Sequence, residues 1–300
     1  MCSQISVVVC VKNRAKDLER ALRSIKNQNG VLEIIVIDGG STDKTLEIAK
    51  KFTDKIYSDK GRGLGFARQL GAEKASGRYM AFVDSDAELP KKDLLLRMVN
   101  EMEEKGWVAI HAQIVDPRIN KTLWEYCQNE YYKNVTFGVI GETTFLGTIV
   151  CIIRREIILK YRFDPFMKYA MEDIDFWYRV GKCHKFGVSK EVAYHYHRIS
   201  LKSFFDQMVW YGKGSARYMV KHKDWRWLII PLARMPYGLL LAIKLKCIKC
   251  IPYHVIRSIG TLYGTVIGLM ELKNEIKQKI EGENRRPFDR NFVKCKIYLE

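Results

Sequence analysis

A doubly wound α/β fold, with a mostly parallel sheet flanked by helices, is predicted for the first two thirds of this 300-residue sequence. Short β-branched runs alternate with amphipathic stretches from the start of the chain. The runs lack polar alternation, as strands do when helices cover both faces of their sheet. Polar and acidic residues follow several of them, where right-handed crossovers collect ligands at the carboxyl ends of the strands. A composition of 47% hydrophobic and 28% charged residues with seven prolines excludes disorder and collagen-like repeats.

Residues 5–11 (ISVVVCV) form a continuous apolar run of strand length, and 17–29 carry Leu18, Ala21, Leu22 and Ile25 at helical spacing. The unit recurs as strand 32–38 (LEIIVID) with helix 42–52, strand 55–57 with helix 64–75, and strand 79–83 with helix 91–105. Beyond residue 106 the order loosens to a strand at 108–115, an aromatic-rich helix at 122–133, a strand at 144–153 and a helix at 171–181. Three helical stretches follow, at 202–221, 227–246 and 252–279. This change of character sets the expected organisation: an α/β domain over residues 1–222 and a basic, apolar helical region over residues 223–300.

Candidate chemistry gathers at the strand ends. Lys12-Asn13-Arg14 follows the first strand, and Asp38-Gly39-Gly40-Ser41-Thr42-Asp43 follows the second. The latter also reads as a plain strand-to-helix loop, with glycine turns and a Ser or Thr cap. Asp84-Ser85-Asp86 follows the run YMAFV. Carboxylates at i and i+2 of an extended segment point to one side, where they can share a hard divalent cation, or hold it and a ribose hydroxyl. Glu172-Asp173-Ile174-Asp175 opens a helix. Those acids either complement the helix dipole or offer one carboxylate as a general base. His195 and His197 share one face of a strand and are either half-buried or ligands.

Taken in order, KNR, IDGGSTDKT, GRGLGFARQLGAEKASGRYMAFVDSDAELP and RREIILKYRFDPFMKYAMEDIDFWYRVGK resemble family 2 glycosyltransferases of the GT-A fold. The resemblance implies a nucleotide-sugar-dependent, inverting, hexosyltransferase-like enzyme using a divalent metal, Mg²⁺ or Mn²⁺. It implies that Val11, Lys12, Asn13 and Asp38 hold the base and ribose, with Arg68 near the phosphates. Asp84 then lies nearer the ribose, Ser85 belongs to the donor loop and Asp86 ligates the metal directly. Asp173 becomes the catalytic base and Glu172 helps bind the acceptor. A histidine after the acidic helix often completes the metal site in this fold; His197 is slightly preferred over His195. The chain departs from the family at Gly39, where members often carry a second acid. Processive members share a Gln-x-x-Arg-Trp motif, which FDQMVWYGKG at 205–214 lacks, so transfer of a single sugar is implied.

The net charge of +17 is uneven: residues 1–200 hold 32 Lys/Arg against 26 Asp/Glu, and residues 201–300 hold 19 against 8. A basic excess mixed with the apolar stretches 228–243 and 255–270 fits an anionic membrane surface better than nucleic acid. No nucleic-acid-binding motif emerges, and no nucleic-acid partner is expected. Neither apolar core supplies the ~20 clean residues that span a bilayer. A membrane-associating helical appendage is therefore expected, the alternatives being a soluble hairpin packed on the catalytic domain or a homo-oligomer contact through the same helices. The N-terminus lacks a secretory signal pattern, so a cytoplasmic enzyme, peripheral on the inner face of the cell membrane, is expected. The acceptor is then a polyprenyl phosphate or a lipid-linked glycan, with Trp124, Tyr126, Tyr131, Tyr132 and Phe137 as unassigned candidates for its apolar walls. Two rival readings are a sugar-phosphate nucleotidyltransferase, for which KNRAKD lacks the glycine-rich loop, and an inactive basic module that binds nucleic acid or anionic lipid.

Overall fold

The computed structural model describes residues 4–136, 139–244 and 246–283; Phe137 and residues 284–300 of the expected C-terminal region lie outside these. The chain divides into two compact units between Phe204 and Phe205.

The first unit runs β1 (Ile5–Val11), α1 (Ala15–Lys26), β2 (Val31–Asp38), α2 (Thr45–Ala49), β3 (Ile56–Ser58), α3 (Leu64–Lys74), β4 (Tyr79–Val83), β5 (Ala87–Glu88) and α4 (Leu94–Glu104). It continues with β6 (Ala109–Val115), α5 (Leu123–Tyr131), a π-helical turn (Tyr132–Thr136), β7 (Gly141–Glu142), β8 (Val150–Arg154), α6 (Arg155–Tyr161), α7 (Glu172–Val180) and β9 (Phe186–His195). A helix α8 (Leu201–His222) begins at its end. The expected domain boundary coincides with the end of α8, whereas the compact units part near its start.

Among the described residues the sheet has nine strands in the order β3-β2-β1-β4-β8-β6-β9-β5, with β7 also on β9. The half β3-β2-β1-β4 is parallel, as the repeated strand–helix units require. The other half is mixed. β8 is antiparallel to both β4 and β6, and β5 and β7 are antiparallel to β9, which itself runs parallel to β6. A fully buried apolar run such as Val150–Ile153 carries no directional signal, so the connection decides its sense. The strand expected from residue 144 begins only at Val150, α6 and most of β9 take up stretches unassigned by periodicity, and the strand expected to carry His195 and His197 ends at His195, leaving His197 just beyond it.

Both faces of the sheet are covered, which is why its strands do not alternate. Val7, Val9 and Val11 of β1 face Leu18, Leu22 and Ile25 of α1, while Val8 faces α3, Phe163 and Phe176 on the other side. Each fully buried side chain of this kind contributes about 1.5–3 kcal/mol. Gly71 lets α3 lie close on β1, since a Cβ there would meet Val8 Cγ1 at 2.5 Å. Strands β1, β2 and β4 end side by side at Val11, Asp38 and Val83, and the candidate residues follow them.

In the second unit the remainder of α8 is joined by α9 (Arg226–Lys244) and α10 (Ile251–Glu283). The helical segments Arg226–Lys244 and Ile248–Gln278 are long and apolar enough to cross a membrane by length and composition. This exceeds the expectation from the two apolar cores alone, because both helices continue past them.

Candidate active site

The loops after β1 and β2 are stitched together. Asn13 adopts φ 52° and presents both backbone and side chain to the neighbouring loop. Its N–H donates to Ser41 Oγ at 2.9 Å, and its Oδ1 accepts from the Thr42 N–H at 2.8 Å. Gly39 N–H donates to Val11 O at 2.8 Å, and a Cβ at Gly39 would sit 3.3 Å from Lys12 Cβ. The glycine that departs from the family pattern thus leaves room for Lys12. The Asp38 carboxylate accepts from the N–H groups of Gly40 at 3.0 Å and Ser41 at 3.1 Å, shaping its own turn. Val11, Lys12, Asn13 and Asp38 therefore form one ledge.

The loop after β4 is pinned at both ends. Asp84 N–H donates to Ile149 O at 2.8 Å, and Tyr196 N–H donates to Asp86 O at 3.0 Å. Between these anchors Ser85 is buried, and the short β5 pairs Ala87 with His195. This pairing places His195 Nε2 3.1 Å from Asp86 Oδ1. Arg14 Nη2 lies 3.6 Å from Asp86 Oδ2 on the other side. Burial opposes ionisation of Asp86, but His195, Arg14 and Arg198 outweigh it and hold the carboxyl well below the usual range. Asp84 behaves oppositely: burial pushes it up to about 6, against the pull of Arg68.

Arg68, on α3, joins the two acidic clusters. Its guanidinium pairs with Glu172 through Nη1 and lies 3.6 Å from Asp84 Oδ1 through Nη2. Gly63 and Gly65 make this reach possible. A Cβ on Gly63 would meet Lys168 O at 2.3 Å and one on Gly65 would meet Asp164 O at 2.5 Å, so the segment leading to α7 rests directly on the start of α3. Leu64 and Gly65 N–H groups donate to Lys168 O and Met167 O at 3.1 and 3.2 Å. The three acids of α7 separate by role. Glu172 is buried against Arg68, Asp175 is fully buried and pairs with Arg179 at 2.9 Å, and Asp173 stays half-buried with its Oδ1 accepting from Ile174 N–H at 2.8 Å. Burial raises the Asp173 pKa, which Arg68 only partly offsets.

The two histidines also differ. Ligand atoms of Asp84, Asp86 and His195 all lie within 4.8 Å of one another. His197 meets this group through His195, Nδ1 to Nδ1 at 3.2 Å, and its own N–H donates to Asp116 Oδ2 at 3.1 Å. Its Nε2 is buried with no hydrogen-bond partner among the described residues. The Tyr132 ring, on the π-helical turn, lies 5.0 Å from that of His197 and 6.2 Å from that of His195. Burial and the neighbouring His195 keep His197 neutral, far below the ordinary histidine range. Two hard carboxylates and one imidazole are a donor set suited to Mg²⁺ or Mn²⁺.

Two cations escaped assignment from the sequence. Arg14, within the KNR that follows β1, reaches Asp86; its adjacency to Asn13 was the available signal. Arg198 follows His197 directly, its N–H donating to Gln128 Oε1 at 3.1 Å, and adds to the positive field at Asp86.

Comparison with known proteins places this arrangement in context. A family model described as Glycosyl transferase family 2 matches residues 6–162. The chain is similar to a cholesterol galactosyltransferase of Borreliella burgdorferi, 33% identical over 193 residues, covering 58% of this chain and 54% of that protein. It is also similar to glycosyltransferase AglE of Haloferax volcanii, 32% identical over 111 residues, covering 34% and 36%. The chain thus spans about half the length of the first relative and about a third of the second. Among solved structures it shares the fold of the mannosyltransferase PcManGT of Pyrobaculum calidifontis, in complex with GDP-Man and Mn²⁺. There the TM-score is 0.61 at 15% identity, covering 89% of this chain and 87% of that one. It shares the fold of glucosyl-3-phosphoglycerate synthase of Mycobacterium tuberculosis, in complex with Mn²⁺, UDP and glucosyl-3-phosphoglycerate, with TM-score 0.51 at 22% identity, covering 72% and 78%.

Proposed function

The chain belongs to glycosyl transferase family 2, and from that premise we propose that it is a metal-dependent, inverting, non-processive glycosyltransferase. It moves one sugar from a nucleotide donor to a membrane-associated acceptor such as a polyprenyl phosphate or a lipid-linked glycan. The observation that carries the reading is the meeting of Asp84, Asp86 and His195 beside the Arg68–Glu172 pair, at the ends of parallel strands.

In this reading Val11, Lys12, Asn13 and Asp38 cradle the base and ribose, and Arg68, Asp84 and Ser85 face the ribose and phosphates. Asp84, Asp86 and His195 hold a divalent cation, with His197 behind them or as a further ligand. When bound, the cation offsets charge growing on the diphosphate leaving group. Asp173 takes the proton from the hydroxyl of a glycan acceptor as that oxygen attacks the anomeric carbon opposite the departing nucleoside diphosphate, whereas a phosphate acceptor attacks through an oxygen that is already ionised. Its raised pKa makes it a stronger base than an ordinary aspartate. Glu172, committed to Arg68, fixes the guanidinium and the start of α7, so its contribution to acceptor binding is chiefly one of positioning.

The catalytic domain extends to residue 222 in this proposal. The basic region over 223–300 keeps the enzyme peripheral on the inner face of the cell membrane, its excess of Lys and Arg facing anionic headgroups at about 1 kcal/mol each. Relatives solved with Mn²⁺ and nucleotide or nucleotide-sugar support the cofactor and donor class. The test is donor turnover with Mg²⁺ or Mn²⁺ for the wild type, Asp86→Ala and Asp173→Asn. Undiminished transfer by either variant removes that residue's role.

A further inference from the structure

Between Ser258 and Met270, α10 is inverted relative to a helix in water. The buried positions of that stretch carry Ser258, Gly260, Thr261, Gly264, Thr265 and Gly268, whereas Ile259, Tyr263, Val266 and Met270 point outward at 46 to 62% exposure. Among the described residues of α10, large side chains are buried only at its flanks, at Tyr253, His254 and Leu272. On the inward face Ser258 Oγ is buried with no hydrogen-bond partner among the described residues, whereas the two threonines are satisfied within the helix. Thr261 and Thr265 hydroxyls donate to the carbonyls of Arg257 and Thr261, each at 2.8 Å. The glycines replace an apolar core with backbone contact: a Cβ on Gly264 would meet Val209 O at 2.1 Å, and one on Gly212 of α8 would meet Thr261 O at 2.1 Å. Packing through small residues and threonines bonded within the helix, with large apolar side chains outside, is what helices adopt when the surroundings are as apolar as the side chains.

α9 continues the pattern, with Ile229, Leu232, Leu240 and Ile243 at 53 to 67% exposure. Single exposed aliphatics are ordinary on a protein surface, but continuous stripes on two adjacent helices are not. Charge adds an independent indication of what covers them. Between residues 225 and 270 there is no Asp or Glu, while Arg226, Arg234, Lys244, Lys246, Lys249 and Arg257 are all present. Basic residues concentrated around apolar helices are complementary to a phospholipid layer and not to another copy of the same basic surface.

We propose that the outer faces of α9 and α10 are solvated by the acyl chains of a phospholipid bilayer, so that insertion holds the chain on the membrane even where headgroup attraction is screened. The proposal rests on the membrane association given above and deepens it, adding to headgroup attraction an embedded unit whose interior between Ser258 and Gly268 is small and polar. The experiment floats the full chain with vesicles of phosphatidylcholine alone, and of phosphatidylcholine mixed with phosphatidylglycerol, at low salt and at about 1 M NaCl, where the Debye length falls to about 3 Å. The expected result is flotation with the neutral vesicles in high salt, the bound fraction changing less than about two-fold. The double variant Leu232→Glu with Val266→Glu should lower that fraction at least about ten-fold, a charge at acyl depth being strongly disfavoured. Release by salt, or flotation with the anionic vesicles alone, overturns the proposal, as does failure of the wild type to float at all. The wild-type salt comparison stands even if the variant misfolds. Donor consumption in the same samples reads the glycosyltransferase assignment separately.

Discussion

The Arg68–Glu172 pair invites the sharpest test, because both partners are buried, at 4% and 2% exposure. Glu172→Gln leaves a guanidinium in the interior with Asp84 at 3.6 Å as a substitute, and the Asp84 side chain is 35% exposed. Removing one partner of a buried ion pair costs about 3–5 kcal/mol, and the Asp84 contact places the expected value near the lower end, about 3 kcal/mol. For a folded unit of this size that lowers the melting temperature by about 6–12 °C. Arg68→Met should cost at least as much, since it strands Glu172 and removes the tie to Asp84. Removing both charges together, Arg68→Met with Glu172→Gln, should fall short of the summed single losses by about 2–3 kcal/mol, because no unpaired interior charge remains at that pair. Melting followed by tryptophan fluorescence suits the purpose, Trp177 being buried among Phe176 and Phe186 in the same unit. Single variants within about 1 kcal/mol of the wild type, or a strictly additive double variant, would refute the claim that one guanidinium joins the two acidic clusters.

Other expectations concern pH, backbone and metal. Burial opposes ionisation of Glu33, yet Lys55, Ser6 and Ser76 hold its carboxyl down to about 2 from an ordinary 4.5. Its stabilisation is therefore complete above about pH 4.5 and is lost as pH falls toward 2, a change of about 2–3 kcal/mol. Urea midpoints between pH 7 and 3 should show a flatter acid limb in Glu33→Gln. At Gly63, φ is 94° and the Lys168 carbonyl leaves no room for a Cβ. Gly63→Ala should cost about 1–3 kcal/mol and shift the segment before α7, so melting temperature and kcat should fall together; wild-type values for both would exclude that coupling. His195→Ala should raise the Mn²⁺ concentration for half-maximal turnover by at least about 10–100-fold, and His197→Ala by less; the reverse order would make His197 the ligand.

Much of the fold was legible because it depends on local period. The apolar runs at 5–11 and 79–83 coincide with β1 and β4 residue for residue, and α3 runs from Leu64 to Lys74 against an expected 64–75. Both acidic clusters were legible for the same reason, each standing directly after a run or at the head of a helix. The direction of β8 was not, since a buried apolar strand looks alike in either sense. Helical period alone did not tell Asp175 from Asp173 either; it was the family resemblance that singled out Asp173. The two acids are two residues apart on one helix and differ in whether Arg179, one turn further on, takes up the carboxylate.

By itself the sequence determined the alternation of strands and helices, the coverage of both sheet faces, the ledge residues at the strand ends and the basic, apolar character of the last hundred residues. These follow from side-chain period and composition, which a chain carries locally. The tertiary structure alone decided that Arg68 spans from α3 to Glu172 and Asp84, and that the pairing of β5 with β9 puts His195 beside Asp86 while the backbone of His197 is tied to Asp116. It also decided that α10, between Ser258 and Met270, turns its glycines and hydroxyls inward and its largest apolar side chains outward. Each of these is a matter of which distant segment comes to lie against a given side chain, and local periodicity holds no record of that.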